Sequence, residues 1–114
     1  MVDFTRALVA IPTENPPGNG YREAVELIGR CLDQLGFRDT RVEGDCVVSF
    51  LGNGERTLYF SGHYDVVPAQ SASQFEPLVK GENLFGRGSS DMKSGLAAMT
   101  YAAAALPFGC TSAV

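Results

Sequence analysis

The sequence contains no tryptophan, one histidine and three cysteines, and none of the cysteines belongs to a C-x-x-C pair. Cys31, Cys46 and Cys110 are odd in number and widely spaced, which fits neither a zinc ribbon nor a framework of paired disulfides. Reduced thiols in a cytoplasmic protein are the simplest interpretation. We expect the cysteines to be small apolar residues of the interior.

Long apolar runs and blocks of positive charge are also missing. No run approaches the ~20 residues needed to cross a bilayer, and the opening MVDFTRALVAIP lacks the basic leader and long apolar core of a secretory signal. The net charge is −4, with acids and bases interspersed. Binding to nucleic acid or to an anionic membrane is therefore not expected, because both require a concentrated positive patch.

What is present is the composition of one small globular domain: 114 residues, 45% hydrophobic and 19% charged. Helical spacing of apolar residues predicts helices over residues 2–11, 21–35 and 92–106. Strand candidates cover 40–43, 46–51, 57–62, 78–80 and 83–86, with a polar loop at 69–77 and no readable structure in the final FGCTSAV. We expect a hairpin between 46–51 and 56–62, and a central strand at 57–62 covered on both sides. The pattern predicts an α/β fold, a mixed sheet with flanking helices that lacks later crossover units.

Two stretches contain the residues suited to chemistry. TLYFSGHYDVVPA is a strand candidate ending in His63 and Asp65, and LFGRGSSDMKSGLAAM passes through a glycine-rich turn to Asp91. Open α/β sheets place their functional groups where strands give way to loops. We therefore expect the imidazole and both carboxylates to meet at one sheet edge, as half of a metal site.

Each of these residues also has a purely structural interpretation. A lone histidine is more often a structural hydrogen-bonding group than a ligand. Asp65 could cap a turn, or it could accept the second N–H of the His63 ring and fix its tautomer. Asp91 could be the N-cap of the helix that follows, or it could bridge two metal ions through its two oxygens.

The segment GRGSSD superficially resembles a dinucleotide-binding loop. The third glycine of that fingerprint is replaced by Asp91, whose charge would repel a phosphate from the start of the helix, so we reject this interpretation. Arg87 and Lys93 are most simply solvated charges, although Lys93 could pair with Asp91 or another acid.

Together, SGHYDVVPA, LFGRGSSDMKSGLAAM and the opening ALVAIPTENPPG resemble the zinc-dependent amidohydrolase and exopeptidase family of acetylornithine deacetylase, succinyl-diaminopimelate desuccinylase, aminoacylase and carboxypeptidase G. The resemblance extends to about Leu106. It implies an incomplete three-layer sandwich, the N-terminal part of a zinc-exopeptidase-like catalytic domain. It also implies that His63 is a ligand of one zinc, that Asp65 orients its ring, and that Asp91 bridges two zincs and is followed by a cis peptide bond.

The activity implied by this resemblance is hydrolysis of an amide bond in an N-acyl amino acid or small peptide by metal-activated water. The cofactor would be zinc, with two ions in the complete enzyme and cobalt as an alternative metal. The resemblance allows the complete enzyme to be a monomer or a homodimer. The sequence has no adjacent acidic pair and no second histidine. We therefore expect residues 1–114 to be the N-terminal portion of a catalytic domain, without the lid or dimerisation domain and inactive alone. The alternative is a non-catalytic truncated remnant that keeps the fold without productive metal binding.

Overall fold

The structure, a computed structural model, describes residues 1–106 and 111–113. Its helices are α1 (Val2–Ala10), α2 (Tyr21–Gln34) and α3 (Ser94–Ala104). The first two confirm the predicted helices to within one residue, while α3 begins two residues later than predicted. A 3-10 turn at Ala72–Phe75 lies in the predicted polar loop, and a π-helical turn at Ser89–Lys93 leads into α3.

Among residues 1–106 and 111–113, six strands form two sheets. They are β1 (Arg38–Glu43), β2 (Cys46–Leu51), β3 (Thr57–Tyr59), β4 (Leu78–Lys80), β5 (Asn83–Phe85) and β6 (Thr111–Ala113). The main sheet is mixed and has the order β1-β2-β6-β3, with β6 antiparallel to β2 and parallel to β3. A separate antiparallel ribbon joins β4 and β5 around Gly81, as predicted. The α/β class is confirmed.

Two predictions about the main sheet are wrong. β2 pairs with β1 across the turn at 44–45, and β6 lies between β2 and β3, so no hairpin joins 46–51 to 56–62. β3 is also not a covered central strand. It is the last strand of the described sheet, and its Leu58 and Tyr59 are 52% and 73% exposed. The apolar residues of this segment do form a strand, but β6 is the one described strand beside it.

β6 was not predicted, because Thr-Ser-Ala has no apolar alternation and strand residues are recognised mainly by that pattern. Residues 107–110 and 114 of the same tail, including Cys110, lie outside the described residues. Of the other cysteines, Cys31 is buried as expected, whereas Cys46 is exposed.

The helices pack their apolar faces into one core. The buried members of this core come from all three helices and from the residue just before β1: Phe4, Leu8, Ile28, Cys31, Leu32, Phe37, Leu96, Ala97 and Ala103. The alanines of α3 allow close approach, since they add little volume between backbones. No helix in the described part of the chain is long and apolar enough to cross a membrane.

Candidate metal centre

The structure brings together the three residues singled out in the sequence. The His63 ring lies between two carboxylates: its Nδ1 is 3.1 Å from Asp65 Oδ1, and its Nε2 is 3.4 Å from Asp91 Oδ1. Nδ1 also lies 3.1 Å from the backbone oxygen of Asp65. If Nδ1 carries the proton and donates a hydrogen bond to Asp65, the lone pair of Nε2 points towards the Asp91 carboxylate.

Asp65 is held from its other side by Asn15, whose side-chain amide donates to Oδ2 at 3.1 Å. The backbones of the two segments are linked as well. Asn15 N–H donates to Val66 O and Val66 N–H donates to Thr13 O, both at 2.8 Å. The breaker-rich segment PTENPPG is therefore fixed alongside the His63 segment. In the sequence, this segment contributed only to the family resemblance, because nothing local indicates its partner 50 residues away.

Asp91 does not cap the helix. The N-terminal flanking residue of α3 is Lys93, and no side chain makes a capping hydrogen bond there. Asp91 itself has extended backbone angles, φ −123° and ψ 104°, inside the π-helical turn. The interpretation of Asp91 as the N-cap of the helix is thus wrong. The Asp91 side chain is 87% exposed. The Asp91–Met92 peptide bond is cis, as the resemblance implied.

The glycine-rich turn before Asp91 has little room for side chains. Gly88 has φ +78°, and a Cβ built there would lie 2.5 Å from Val66 Cγ1 and 3.2 Å from Lys93 Cδ. A Cβ at Gly86 would collide with the side chain of Val9. Glycine at both positions lets the turn pack directly onto α1 and the His63 segment.

Lys93 is the largest departure from expectation. Instead of being solvated it is fully buried, and its Nζ donates to Leu8 O and Ile11 O, each at 2.8 Å. These carbonyls belong to the C-terminal end of α1, where a positive charge is favoured by the helix dipole. Burial lowers the pKa of Lys93 to about 8. Lys93 therefore ties the Asp91 turn to the first helix of the chain.

Arg87 also differs from a simple solvated charge. Its guanidinium donates to Gln74 Oε1 at 3.2 Å, and its Nε is buried without a hydrogen-bond partner among the described residues. Arg87 and Gln74 line a cavity of about 380 Å³, which also contacts His63, Asp65 and Asp91. The candidate centre thus opens into a pocket with one positive side chain on its wall.

The donor set is small. Within residues 1–106 and 111–113, no group of three or more His, Cys, Asp or Glu side chains is arranged to hold a metal ion. Asp65 faces Nδ1, whereas Asp91 faces Nε2, so these two carboxylates approach the ring from different sides. His63 and Asp91 are the pair that could contact one ion directly.

Comparison with known proteins gives a consistent picture. The chain has the fold of part of a metallopeptidase: it matches the M20 family metallo-carboxypeptidase Sso-CP2 from Sulfolobus solfataricus with a TM-score of 0.83, at 21% sequence identity. The match covers 98% of this chain and 29% of that enzyme, so the chain spans less than a third of its length. More particularly, the family model of Peptidase family M20/M25/M40 matches residues 59–107, which include His63, Asp65 and Asp91.

Proposed function

We propose that this chain forms part of the metal centre of an M20-type metallohydrolase, with His63 and Asp91 as metal ligands and Asp65 as the group that orients the imidazole. The observation that carries the proposal is the placement of His63 between two carboxylates. Two ligands about 2.0–2.2 Å from a tetrahedral zinc are about 3.4 Å apart, and the distance from His63 Nε2 to Asp91 Oδ1 is 3.4 Å. The pair therefore fits a shared ion.

Each residue has a separate task in this proposal. Asp65 accepts a hydrogen bond from Nδ1–H, which keeps Nε2 unprotonated and free to bind metal, and Asn15 holds the second oxygen of Asp65. Asp91 is exposed enough to present both carboxylate oxygens, as a bridge between two ions requires. Zinc, or cobalt in its place, would supply Lewis acidity and an activated water.

The reaction class that follows is hydrolysis of an amide or peptide bond. The substrate would be an N-acyl amino acid or small peptide, of the carboxypeptidase, deacetylase or desuccinylase type, and the cavity of about 380 Å³ beside the centre would receive part of it. A catalytic zinc ordinarily has three protein ligands. His63 and Asp91 supply two, and neither is left to act as the base, so we propose that residues 1–114 alone bind metal weakly and do not turn over.

Calorimetric titration of the purified chain with zinc, together with cobalt titration followed by visible absorption, tests this proposal. We expect weak binding that is lost in His63→Ala and reduced at least about tenfold in Asp91→Asn. Asp3→Asn, which changes an exposed aspartate on α1, is the matched control and leaves binding unchanged.

An assay of N-acyl amino acid hydrolysis with excess metal completes the test. Metal-dependent turnover that disappears in His63→Ala would refute the expected inactivity. Equal metal binding by the native chain and His63→Ala would refute the ligand assignment. The latter result would favour the alternative, a non-catalytic remnant that keeps the fold without productive metal binding.

A further inference from the structure

The tautomer of His63 depends on which of two neighbouring acceptors its ring serves. Nδ1 lies 3.1 Å from both the Oδ1 and the backbone oxygen of Asp65, within the usual range of a hydrogen bond. Nε2 lies 3.4 Å from Asp91 Oδ1, outside that range, and the Asp91 side chain is mostly exposed to competing water. The Nδ1–H tautomer is therefore favoured as long as the two oxygens of Asp65 keep their positions.

Both of these oxygens are positioned by the backbone of Asp65. The peptide unit before its Cα contains the Tyr64 carbonyl, and the unit after it contains the Asp65 carbonyl and the Val66 N–H. Each unit is planar, so the orientations of the two planes fix φ and ψ of Asp65. The backbone oxygen and the Cα–Cβ bond of Asp65 take their directions from these two angles.

Thr13 contacts both planes. Its hydroxyl donates to Tyr64 O at 2.6 Å, and its carbonyl accepts a hydrogen bond from the Val66 N–H at 2.8 Å. Thr13 is fully buried, so water does not compete with these two bonds. One residue from the loop after α1 therefore fixes the backbone of Asp65 on both sides of its Cα.

The orientation of the Tyr64 carbonyl depends on the Thr13 hydroxyl, since no other donor among the described residues reaches it. The ring of Tyr64 is held separately: it packs edge-on against Tyr21, and its hydroxyl donates to Asp45 O. These contacts fix the side chain of Tyr64 but not the plane of its carbonyl. Loss of the Thr13 hydroxyl would leave one of the two planes around Asp65 without its partner.

We propose that Thr13 is a positioning residue of the candidate metal centre, whose hydroxyl keeps Asp65 in place and thereby holds His63 in the Nδ1–H tautomer. This tautomer leaves the Nε2 lone pair free before any metal binds. The importance of Thr13 for metal binding rests on the proposed function, in which Nε2 is a ligand. The tautomer itself is a property of the metal-free chain and can be measured there.

The test measures the tautomer directly, because His63 is the only histidine in the sequence. In the metal-free chain with isotope-labelled histidine, long-range proton–nitrogen correlation spectra distinguish the protonated from the unprotonated ring nitrogen. The spectra are recorded at a pH at which they show the ring to be neutral, and we expect the native chain to be mainly Nδ1–H. Thr13→Val removes the hydroxyl and should lower the ratio of Nδ1–H to Nε2–H about tenfold, since a hydrogen bond to a charged acceptor favours the donating tautomer by about that factor.

Two variants control the measurement. Thr13→Ser keeps the hydroxyl donor and should keep the native ratio. Thr100→Val makes the same change at another fully buried threonine, whose hydroxyl donates to Leu96 O at 2.8 Å within α3. It should leave the ratio unchanged, which separates the role of Thr13 from a general loss of stability. If circular dichroism shows that Thr13→Val does not fold, Thr13→Cys replaces it with the same expectation, because a thiol is only a weak donor.

A native chain that is mainly Nε2–H, or an unchanged ratio after removal of the Thr13 hydroxyl, would overturn the proposal. An equal fall in Thr13→Ser or Thr100→Val would also overturn it, because the effect would not follow the hydroxyl at this position. Zinc titration separates this proposal from the ligand assignment. Equal zinc binding by the native chain and His63→Ala refutes the ligand assignment, whereas the tautomer ratios alone decide the role of Thr13.

Discussion

Lys93→Met isolates the contribution of the buried ammonium group, because methionine keeps most of the apolar stem and removes only the donors. The native side chain is fully buried and satisfies the carbonyls of Leu8 and Ile11. A hydrogen bond to a charged group contributes about 1.5–3 kcal/mol to stability. Two such bonds give about 3–6 kcal/mol.

The lower end of this range applies here. The lowered pKa of Lys93, about 8, means that burial penalises the charged form, and removing the amine relieves that penalty. We therefore expect Lys93→Met to lower the free energy of unfolding by about 3 kcal/mol. For a domain of about 100 residues, each 1 kcal/mol corresponds to about 4–8 °C in Tm, so the predicted loss is roughly 12–24 °C.

The assay is urea unfolding followed by circular dichroism, with thermal unfolding as a second measure. Lys80→Met is the matched control, since Lys80 is exposed on β4 and its replacement should change stability by no more than about 0.5 kcal/mol. If Lys93→Met is no more destabilising than Lys80→Met, the two hydrogen bonds do not stabilise the chain as argued here.

Three further predictions concern the supports of the site. Gly88→Ala should destabilise the chain by about 1–2 kcal/mol more than Gly81→Ala in urea unfolding, because both glycines have positive φ but only Gly88 has close neighbours; equal losses would contradict this. Asn15→Ala should weaken calorimetric zinc affinity about tenfold, whereas Asn19→Ala should leave it unchanged. Burial raises the pKa of the Cys31 thiol above its ordinary value of 9.0, so the stability contributed by Cys31 is present below pH 9 and is lost as the pH rises. The unfolding free energy should therefore fall less steeply above pH 9 in Cys31→Ala, and an unchanged slope would refute this.

The local elements were largely predictable from the sequence. α1 and α2 follow apolar spacing that ends at Pro12 and Gly36, and the β4–β5 ribbon follows the glycine at its turn. The order of strands in the sheet was not predictable. The Gly-Asn-Gly turn at 52–54 favours a hairpin between β2 and β3 on local grounds. Instead β6 lies between these two strands, and the three residues of β6 have no apolar pattern that would predict a strand.

The candidate site divides in the same way. His63, Asp65 and Asp91 were identified because they follow strand candidates, where open α/β sheets place their functional groups. Asn15 and Lys93 were missed, since both act through contacts with residues about 50 and 80 positions away. A lysine in sequence is almost always solvated, and only the tertiary structure supplies the carbonyls that make its burial possible.

These two contacts give the N-terminal segment a role that its position in the chain does not suggest. Residues 8–15 supply the carbonyls bound by Lys93 and the amide bound by Asp65. The region matched by the peptidase family, 59–107, contains all three candidate site residues but neither of these partners. In that region alone, Lys93 would lack both of its acceptors, and a buried ammonium without acceptors costs several kcal/mol. The Asp91 turn would then have to open to hydrate Lys93, so the arrangement of His63 and Asp91 depends on the first helix as much as on the residues that form it.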